Sequence, residues 1–299
     1  MCDHAFGHGV LYPAGWPSLG YTPRPAGLPT SKTGAAIRKQ APVVVANLLA
    51  AIAGKELRSY FASPVAWVLM GFFALVFGYF YWVMLAYFVR AGMQMTPMGP
   101  QSLNLNEHLV RPLLSNVTVV VLFVMPMITM RTYSEEKRSG TIELLLTAPL
   151  TDWQIILGKF LGALGLYGVM LLITFIHMAF LFIYGSPEWK PLLTAYLGLL
   201  LLGGSFISLG LFISSLTKNQ IVAGMVTFAT FLLFWVINWA SSSFTGSTSD
   251  VLAYLSIIDH FDDFAKGVLD TKHLIYYLSF ILFGLYLTSK SVDMERWRG

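Results

Sequence analysis

Residues 192–216 read LLTAYLGLLLLGGSFISLGLFISSL, a run of 25 residues that contains no charged side chain. An α-helix needs about 20 mainly apolar residues to cross the hydrocarbon core of a bilayer. The run is therefore long enough to span a membrane as one helix. Its glycines, Gly198, Gly203, Gly204 and Gly210, favour close approach of neighbouring helices.

Further charge-free runs of similar length lie on both sides of this one. They cover residues 65–89, 113–130, 160–184, 220–240 and 274–289. Only 11% of the 299 residues are charged, against about 25% in soluble domains. We therefore predict an all-α integral membrane protein with six transmembrane helices, and we exclude a soluble enzyme.

The Lys and Arg residues between the runs indicate an orientation. If both termini lie on one side of the membrane, that side carries 14 of the 19 Lys and Arg residues. The positive-inside rule then predicts a multi-pass protein of the cytoplasmic (inner) membrane with both termini cytoplasmic. The net charge of +4 reflects this orientation, so we expect no nucleic-acid partner.

The chain divides into a tail and a membrane domain. Residues 1–45 contain six prolines and show no periodicity, which predicts a disordered Pro/Gly-rich tail. Residues 46–299 form the predicted transmembrane domain. A single cysteine, Cys2, excludes an intrachain disulfide and a multi-cysteine metal site.

A helix precedes the first span. Residues 47–62, NLLAAIAGKELRSYFA, place apolar side chains on a broad arc with Lys55 and Arg58 opposite. This pattern is typical of an interfacial helix that contacts membrane lipid. Glu56 falls inside the apolar arc, and an inward-facing role or a basic partner would explain it.

Residues 131–159, RTYSEEKRSGTIELLLTAPLTDWQIILGK, form the most informative loop. Gly140 ends one helix, and a short apolar helix over 141–147 then runs until Pro149. One interpretation is an ordinary solvated connector. The other is a cytoplasmic helix whose leucines, 144–146, insert into a groove on a partner.

A second amphipathic helix precedes the last span. Its apolar positions are Ile257, Phe261, Phe264, Ala265 and Val268, and its polar positions are Asp259, His260, Asp262, Asp263 and Lys266. We expect an outer amphipathic or re-entrant helix that packs on the spans. The alternative is a cation site formed by His260 with Asp259 and Asp263.

Two of these helices have predicted start signals. Thr151 with Gln154 fits a capping box at the start of the third span, and Ser256 with Asp259 fits one at the outer helix.

The loop between the second and third spans carries a family resemblance. Its run Glu-Glu-x-x-x-Gly-Thr-x-Glu-Leu-Leu-x-x-x-Pro resembles the signature of ABC type-2 transporter permeases, in the branch of gliding-motility and nitrous-oxide-reductase-maturation permeases. The matching residues are Glu135, Glu136, Gly140, Thr141, Glu143, Leu144, Leu145 and Pro149.

Two other stretches agree with this resemblance, which covers about 47–299. Residues 55–68, KELRSYFASPVAWV, are similar to the interfacial helix and first span of that branch. Residues 260–270, HFDDFAKGVLD, resemble its last extracellular loop. The residues that carry these matches are Lys55, Glu56, Arg58, His260, Phe261, Phe264, Gly267 and Asp270.

The resemblance implies a permease subunit of an ATP-driven exporter. The loop residues would couple it to a separate ABC-type ATPase, which binds ATP and Mg, whereas this chain binds no cofactor or metal and has no catalytic residue. A second permease, a copy or a paralogue, would complete the path. The sequence contains no Gly-x-x-x-x-Gly-Lys-Ser/Thr motif, so we expect ATP to bind elsewhere.

Three other functions remain to be compared. An ion-coupled secondary transporter usually has ionisable groups near the midplane, and the six charge-free runs have no Asp, Glu, Lys or Arg. A membrane-embedded enzyme needs a polar constellation, whereas His177 is the one imidazole inside a run, which we expect to bond a neighbouring helix. A non-transporting scaffold that anchors an ATPase would have the same coupling loop.

Overall fold

The computed structural model describes residues 31–93, 95–96, 99–100, 104–142, 150–243 and 254–296. The chain separates into two units, Met1–Val44 and Val45–Gly299. Apart from the bounds of the first helix, everything below concerns the second unit.

The described residues are almost entirely helical. The helices are α1 Ser31–Ala62, α2 Pro64–Met93, a π-helical turn Asn106–Val110, α3 Arg111–Thr129, α4 Ser134–Ser139, α5 Asp152–Tyr184, α6 Trp189–Leu216, α7 Gln220–Ser243, α8 Ile257–Ala265 and α9 Thr271–Arg296. Two strands of two residues, β1 Met95–Thr96 and β2 Gly99–Pro100, pair antiparallel with Met95 opposite Pro100.

Within the described residues, six helical segments are long and apolar enough to cross a membrane, which confirms the predicted all-α fold with six spans. They are Pro64–Met93, Asn106–Ser139, Asp152–Tyr184, Trp189–Leu216, Gln220–Ile237 and Thr271–Glu295. The second of these joins the π-helical turn, α3 and α4 into one segment. Most spans are longer than the charge-free runs because the helices continue into polar residues at their ends.

Helix α1 begins at Ser31, earlier than the predicted start at residue 47. Residues 31–41, SKTGAAIRKQA, contain mainly residues of good helix propensity, such as Ala, Arg, Lys and Gln. Five of the six prolines of the predicted tail lie before Ser31. The proline-rich composition therefore belongs mainly to residues 1–30, and the helix begins where it ends. Residues 1–30 lie outside the described residues, and their disorder stays a prediction.

Helix α6 lies at the centre of the bundle. In the most apolar 18-residue stretch of α6, 83% of the residues are buried, against 22% in the corresponding stretch of α2 and 17% in that of α7. It packs against α3, α5, α7, α8 and α9. Helices α2 and α7 therefore present most of their apolar surface outward.

The glycines of α6 lie where neighbouring helices approach its backbone, as the sequence predicted. A Cβ atom on Gly203 would overlap the ring of Tyr167 in α5, and one on Gly198 would lie 2.7 Å from Cβ of Phe264 in α8. In lipid there is no hydrophobic driving force between helices, and they associate through van der Waals packing. Close approach at these glycines therefore stabilises the bundle.

Gly203→Ala should destabilise the protein by about 1–3 kcal/mol, the usual cost of overpacking a core. The Tyr167 ring cannot move aside freely, because it is fully buried and its hydroxyl donates to the Leu199 carbonyl at 3.0 Å. Gly168→Ala is the matched control, since no atom lies within 4 Å of a Cβ built there. Thermal unfolding in detergent measures both, and equal melting temperatures would contradict the packing of α5 on α6.

Candidate functional site

Lys159 lies inside the protein near the start of α5, at what we call the Lys159 end of the bundle. The Lys159 side chain is 1% exposed. Its ammonium Nζ lies 2.6 Å from Oε1 of Glu136 and 3.0 Å from Oε1 of Glu56, and it donates to the Thr132 carbonyl at 3.2 Å. These four residues are called the Lys159 cluster, and they join α1, α4 and the turn before α4 to α5.

The backbone of α5 makes room for this cluster. A Cβ on Gly158 would overlap the side chain of Ile52, and one on Gly162 would lie 2.6 Å from Cβ of Glu56. Helix α1 therefore rests directly on the α5 backbone, and this contact brings the Glu56 carboxylate to Lys159.

A buried ammonium is stable only when ion pairs and hydrogen bonds replace its water. Lys159 has two carboxylates and one carbonyl as acceptors, and its Nζ also lies 5.1 Å from the ring centroid of Tyr133. Neither carboxylate can move away without leaving the ammonium under-solvated. The cluster thus fixes α1 and α4 relative to α5.

Ser214 of α6 supports the turn that precedes α4. Its hydroxyl oxygen accepts the N–H groups of Tyr133 at 3.1 Å and Ser134 at 3.2 Å, and it donates to the Met130 carbonyl at 3.1 Å. A single side chain therefore satisfies three backbone groups where the second span changes from α3 to α4.

Two further contacts attach this region to its neighbours. Lys137 of α4 forms a largely buried ion pair with Glu295 of α9, with Nζ and Oε2 2.9 Å apart. Tyr60 of α1 shares a hydrogen bond with the Thr132 hydroxyl at 3.1 Å. Burial raises the pKa of Tyr60 above its usual value of 10, so the phenol stays neutral.

Of the predicted coupling residues, two glutamates and two loop residues are described. Glu136 belongs to the Lys159 cluster, whereas Glu135 is exposed and pairs with Arg131 at 3.0 Å. Gly140 ends α4 with φ of 73°, as the sequence predicted. Thr141 is exposed, with its hydroxyl 2.9 Å from that of Ser139.

The other predicted coupling residues, Glu143, Leu144, Leu145 and Pro149, lie outside the described residues. The short helix over 141–147 is helical at Thr141 and Ile142, and its remainder stays a prediction. The capping box that we predicted at Thr151 and Gln154 is present at the start of α5.

On α1, Lys55 and Arg58 are exposed, as the amphipathic pattern predicted. Glu56 has its basic partner in Lys159, which sequence reasoning counted only as one more loop charge. The available signal was the position of Lys159, directly before the charge-free run 160–184 and between two glycines four residues apart, 158 and 162.

The amphipathic helix that was predicted before the last span is present as α8. It lies at the opposite end of the bundle, which we call the His260 end. Ile257, Phe261, Phe264 and Ala265 are buried as predicted. Val268 was predicted on the same face but is 52% exposed. It lies beyond the last helical residue and the turn at Gly267, whose φ is 88°.

The position predicted for His260 on a polar outer face was wrong. His260 is buried because α9 packs over it, with Tyr276 stacked on its ring at 3.8 Å between centroids. Asp263 pairs with His273 rather than with His260. Ser256 caps α8 by accepting the Asp259 N–H at 3.3 Å, and the Asp270 side chain accepts the Lys272 N–H at the start of α9.

We expected His177 to bond a neighbouring helix, but within the described part of the chain its hydrogen-bond partner lies in its own helix. Its Nδ1 lies 3.3 Å from the Ile173 carbonyl of its own helix. Its ring contacts Phe77 and Tyr81 of α2 edge to face, at 5.2 and 5.4 Å between centroids.

Six apolar spans with a buried ionic cluster at one end define a multi-pass membrane protein. The family model described as ABC-2 family transporter protein matches residues 50–287. The chain therefore belongs to the ABC-2 transporter family. The finer branch that the sequence indicated stays a prediction.

The chain is also similar to two curated relatives. Both are described as "Probable multidrug ABC transporter permease YbhR", one from Escherichia coli strain K12 and one from Escherichia coli O157:H7. Each is 26% identical over 176 residues, which cover 56% of this chain and 45% of the relative. The chain thus matches less than half of the length of these relatives.

Lys159→Met should destabilise the protein by about 3–5 kcal/mol, because removing one member of a buried ion pair leaves the other unpaired. Lys290→Met removes the same charge from a lysine whose side chain is 58% exposed and 3.7 Å from Asp293. That control should cost less than about 1 kcal/mol. Unfolding of both variants in detergent is the measurement.

A rescue separates lost ion pairing from lost packing. Adding Glu56→Gln and Glu136→Gln to Lys159→Met removes the unpaired carboxylates, so stability should return toward that of the parent. No recovery in this triple variant would contradict an electrostatic role for the cluster.

Proposed function

We propose that this chain is the membrane-spanning permease subunit of an ABC exporter, which works with a separate ATPase that binds ATP and Mg. The observation that carries the proposal is the Lys159 cluster. It ties α4 to a transmembrane helix. Helix α4 carries the predicted coupling residues Glu135 and Glu136 and leads into the others, which begin at Gly140. Membership of the ABC-2 family and the multidrug permease description of the relatives support it.

In this proposal, movement of the ATPase reaches the spans through α4. Glu136 on α4 and Glu56 on α1 share one ammonium on α5. A displacement of α4 therefore pulls on α5 and α1 together rather than bending a free loop. Gly140, in the left-handed region, sets the angle at which the chain leaves α4 toward the ATPase.

A second permease, a copy or a paralogue, would complete the transport path. The apolar surfaces of α2 and α7 are mostly exposed in the single chain. In a bilayer such surfaces meet either lipid or another helix. Six spans are few to enclose a wide path, so we assign part of this surface to the second permease and part to lipid.

Two alternatives make different predictions in reconstituted vesicles. A scaffold that only anchors an ATPase would hydrolyse ATP without moving any substrate. An ion-coupled transporter would move substrate without ATP and stop when the ion gradient is dissipated. ATP-dependent movement that survives loss of the gradient is the result the permease proposal requires.

Labelling at the two ends of the bundle tests the proposed orientation. Single cysteines replace Ser139 and Ser186, both exposed and at opposite ends, in a Cys2→Ser background. With both termini cytoplasmic, an impermeant maleimide should label position 186 in intact cells and position 139 only after lysis. Labelling of position 139 alone in intact cells would contradict the proposed orientation and indicate the opposite one.

Glu143→Ala tests the proposed coupling segment. A charge-assisted contact with the ATPase contributes about 1.5–3 kcal/mol, so its loss should weaken ATPase binding about ten- to hundredfold. Glu188→Ala is the control, because Glu188 is exposed at the His260 end. Titration of the purified ATPase onto each variant measures the effect.

Membrane insertion should be the same in both variants. If Glu143→Ala binds the ATPase as tightly as Glu188→Ala and transports at the same rate, Glu143 has no part in coupling.

A further inference from the structure

Two histidines meet in the buried contact between α8 and α9. His260 is 3% exposed and His273 is 9% exposed. Their Nδ1 atoms lie 2.5 Å apart, which is hydrogen-bond distance. We call these two side chains the histidine pair.

The second nitrogen of each ring also has a partner. Nε2 of His260 lies 3.0 Å from the Tyr254 carbonyl oxygen, and Nε2 of His273 lies 2.9 Å from Oδ2 of Asp263. A carbonyl and a carboxylate oxygen can only accept, so each Nε2 must carry a hydrogen and donate.

These contacts fix the number of protons on the pair. A neutral imidazole carries one N–H, and in each ring that hydrogen is already used at Nε2. Two neutral rings would therefore place two lone pairs against each other between the Nδ1 atoms. Two imidazolium rings would place two hydrogens there. When the four ring nitrogens carry three protons in total, one Nδ1 is an N–H donor and the other Nδ1 is an acceptor. No other number of protons gives this pairing.

We propose that His260 and His273 together bind one shared proton, and that this proton latches α8 onto α9. The pair carries a single positive charge, and the Asp263 carboxylate is its counter-ion. The bound species is the proton alone, taken from the water at the His260 end of the bundle.

The charges around the pair agree with one proton rather than two. Burial lowers the pKa of His260 below its usual value, which disfavours a second proton. The hydrogen bonds from Lys266 and His273 lower the pKa of Asp263, so this carboxylate stays ionised as the counter-ion.

Charged and titratable groups surround the pair on several helices. The titratable or charged groups nearby are Tyr254, Asp259, Asp262, Asp263 and Lys266 on the α8 side, Lys272, Tyr276 and Tyr277 on α9, Arg111 on α3 paired with Asp262, and Lys190 and Tyr196 on α6. Helix α7 contributes none. The Asp263 carboxylate accepts the hydrogen bond from Nε2 of His273.

Loss of the shared proton would loosen the packed surface of α8. Phe261 and Phe264 of α8 lie against the backbone of α6 at Gly198. The Tyr277 hydroxyl donates to the Ile257 carbonyl at 2.7 Å. Loss of the shared hydrogen bond therefore weakens the docking of α8 on the centre of the bundle.

The pH dependence follows from the proton count. As pH rises, the shared proton leaves, the two lone pairs repel and docking is lost. At low pH a second proton enters the pair, two N–H groups face each other and docking is lost again. Docking is therefore strongest at an intermediate pH.

Cysteine accessibility in the purified full chain tests this. In a Cys2→Ser background, Ala265→Cys places a thiol on the buried face of α8, and Val268→Cys places one on the exposed turn. The ratio of their maleimide rates cancels the intrinsic pH dependence of the thiol. The ratio should be lowest at intermediate pH and rise about tenfold on each side, as expected for loss of one charge-assisted hydrogen bond.

Two histidine variants assign the effect to the pair. The double variant His260→Phe and His273→Phe should give a flat ratio, whereas His177→Phe should keep the parental profile. A flat profile in the parent, or a parental profile in the double variant, would overturn the proposal.

A spectroscopic measurement does not depend on these substitutions. In wild-type protein with ¹⁵N-labelled histidine, the pair should show one neutral and one protonated ring, or two rings that share the proton, at the pH where the accessibility ratio is lowest. Two neutral rings at that pH would overturn the proposal.

Discussion

One ammonium group held by two carboxylates determines how the Lys159 end of this protein is built. Lys159 is out of contact with water, so it must keep both Glu56 and Glu136 as partners. The partners belong to different helices, and each helix is therefore positioned by the same charge. A lysine on the surface would impose no such constraint, because water would replace either carboxylate at little cost.

The rest of the bundle is organised so that this charge is well placed. Helix α6 offers glycines to its neighbours and is the most buried span, which lets α3, α5 and α9 pack closely around it. Ser214 of the same helix satisfies the backbone of the turn before α4. The central helix thus holds the turn before α4, and the Lys159 cluster holds α4 against α1 and α5.

The six spans could be predicted because charge is almost absent from long runs, and a bilayer permits few other structures there. The helix ends at Gly140 and Thr151 were also predictable, since their signals are local. The partner of Glu56 was not, because it lies 103 positions away and only packing of α1 on Gly158 and Gly162 brings it near. His260 was assigned to the wrong face for the same reason, since α9 covers a side of α8 that its own periodicity marks as polar.

Hydrogen exchange measured by mass spectrometry tests the central claim most directly, namely that one charge fixes two helices. Lys159→Met is compared with the parent chain in the same detergent, and peptides from α1 and α4 are followed. The account predicts that residues 48–62 and residues 134–142 lose protection together, while α8 keeps its protection. Loss of protection in only one of the two segments, or in neither, would contradict it.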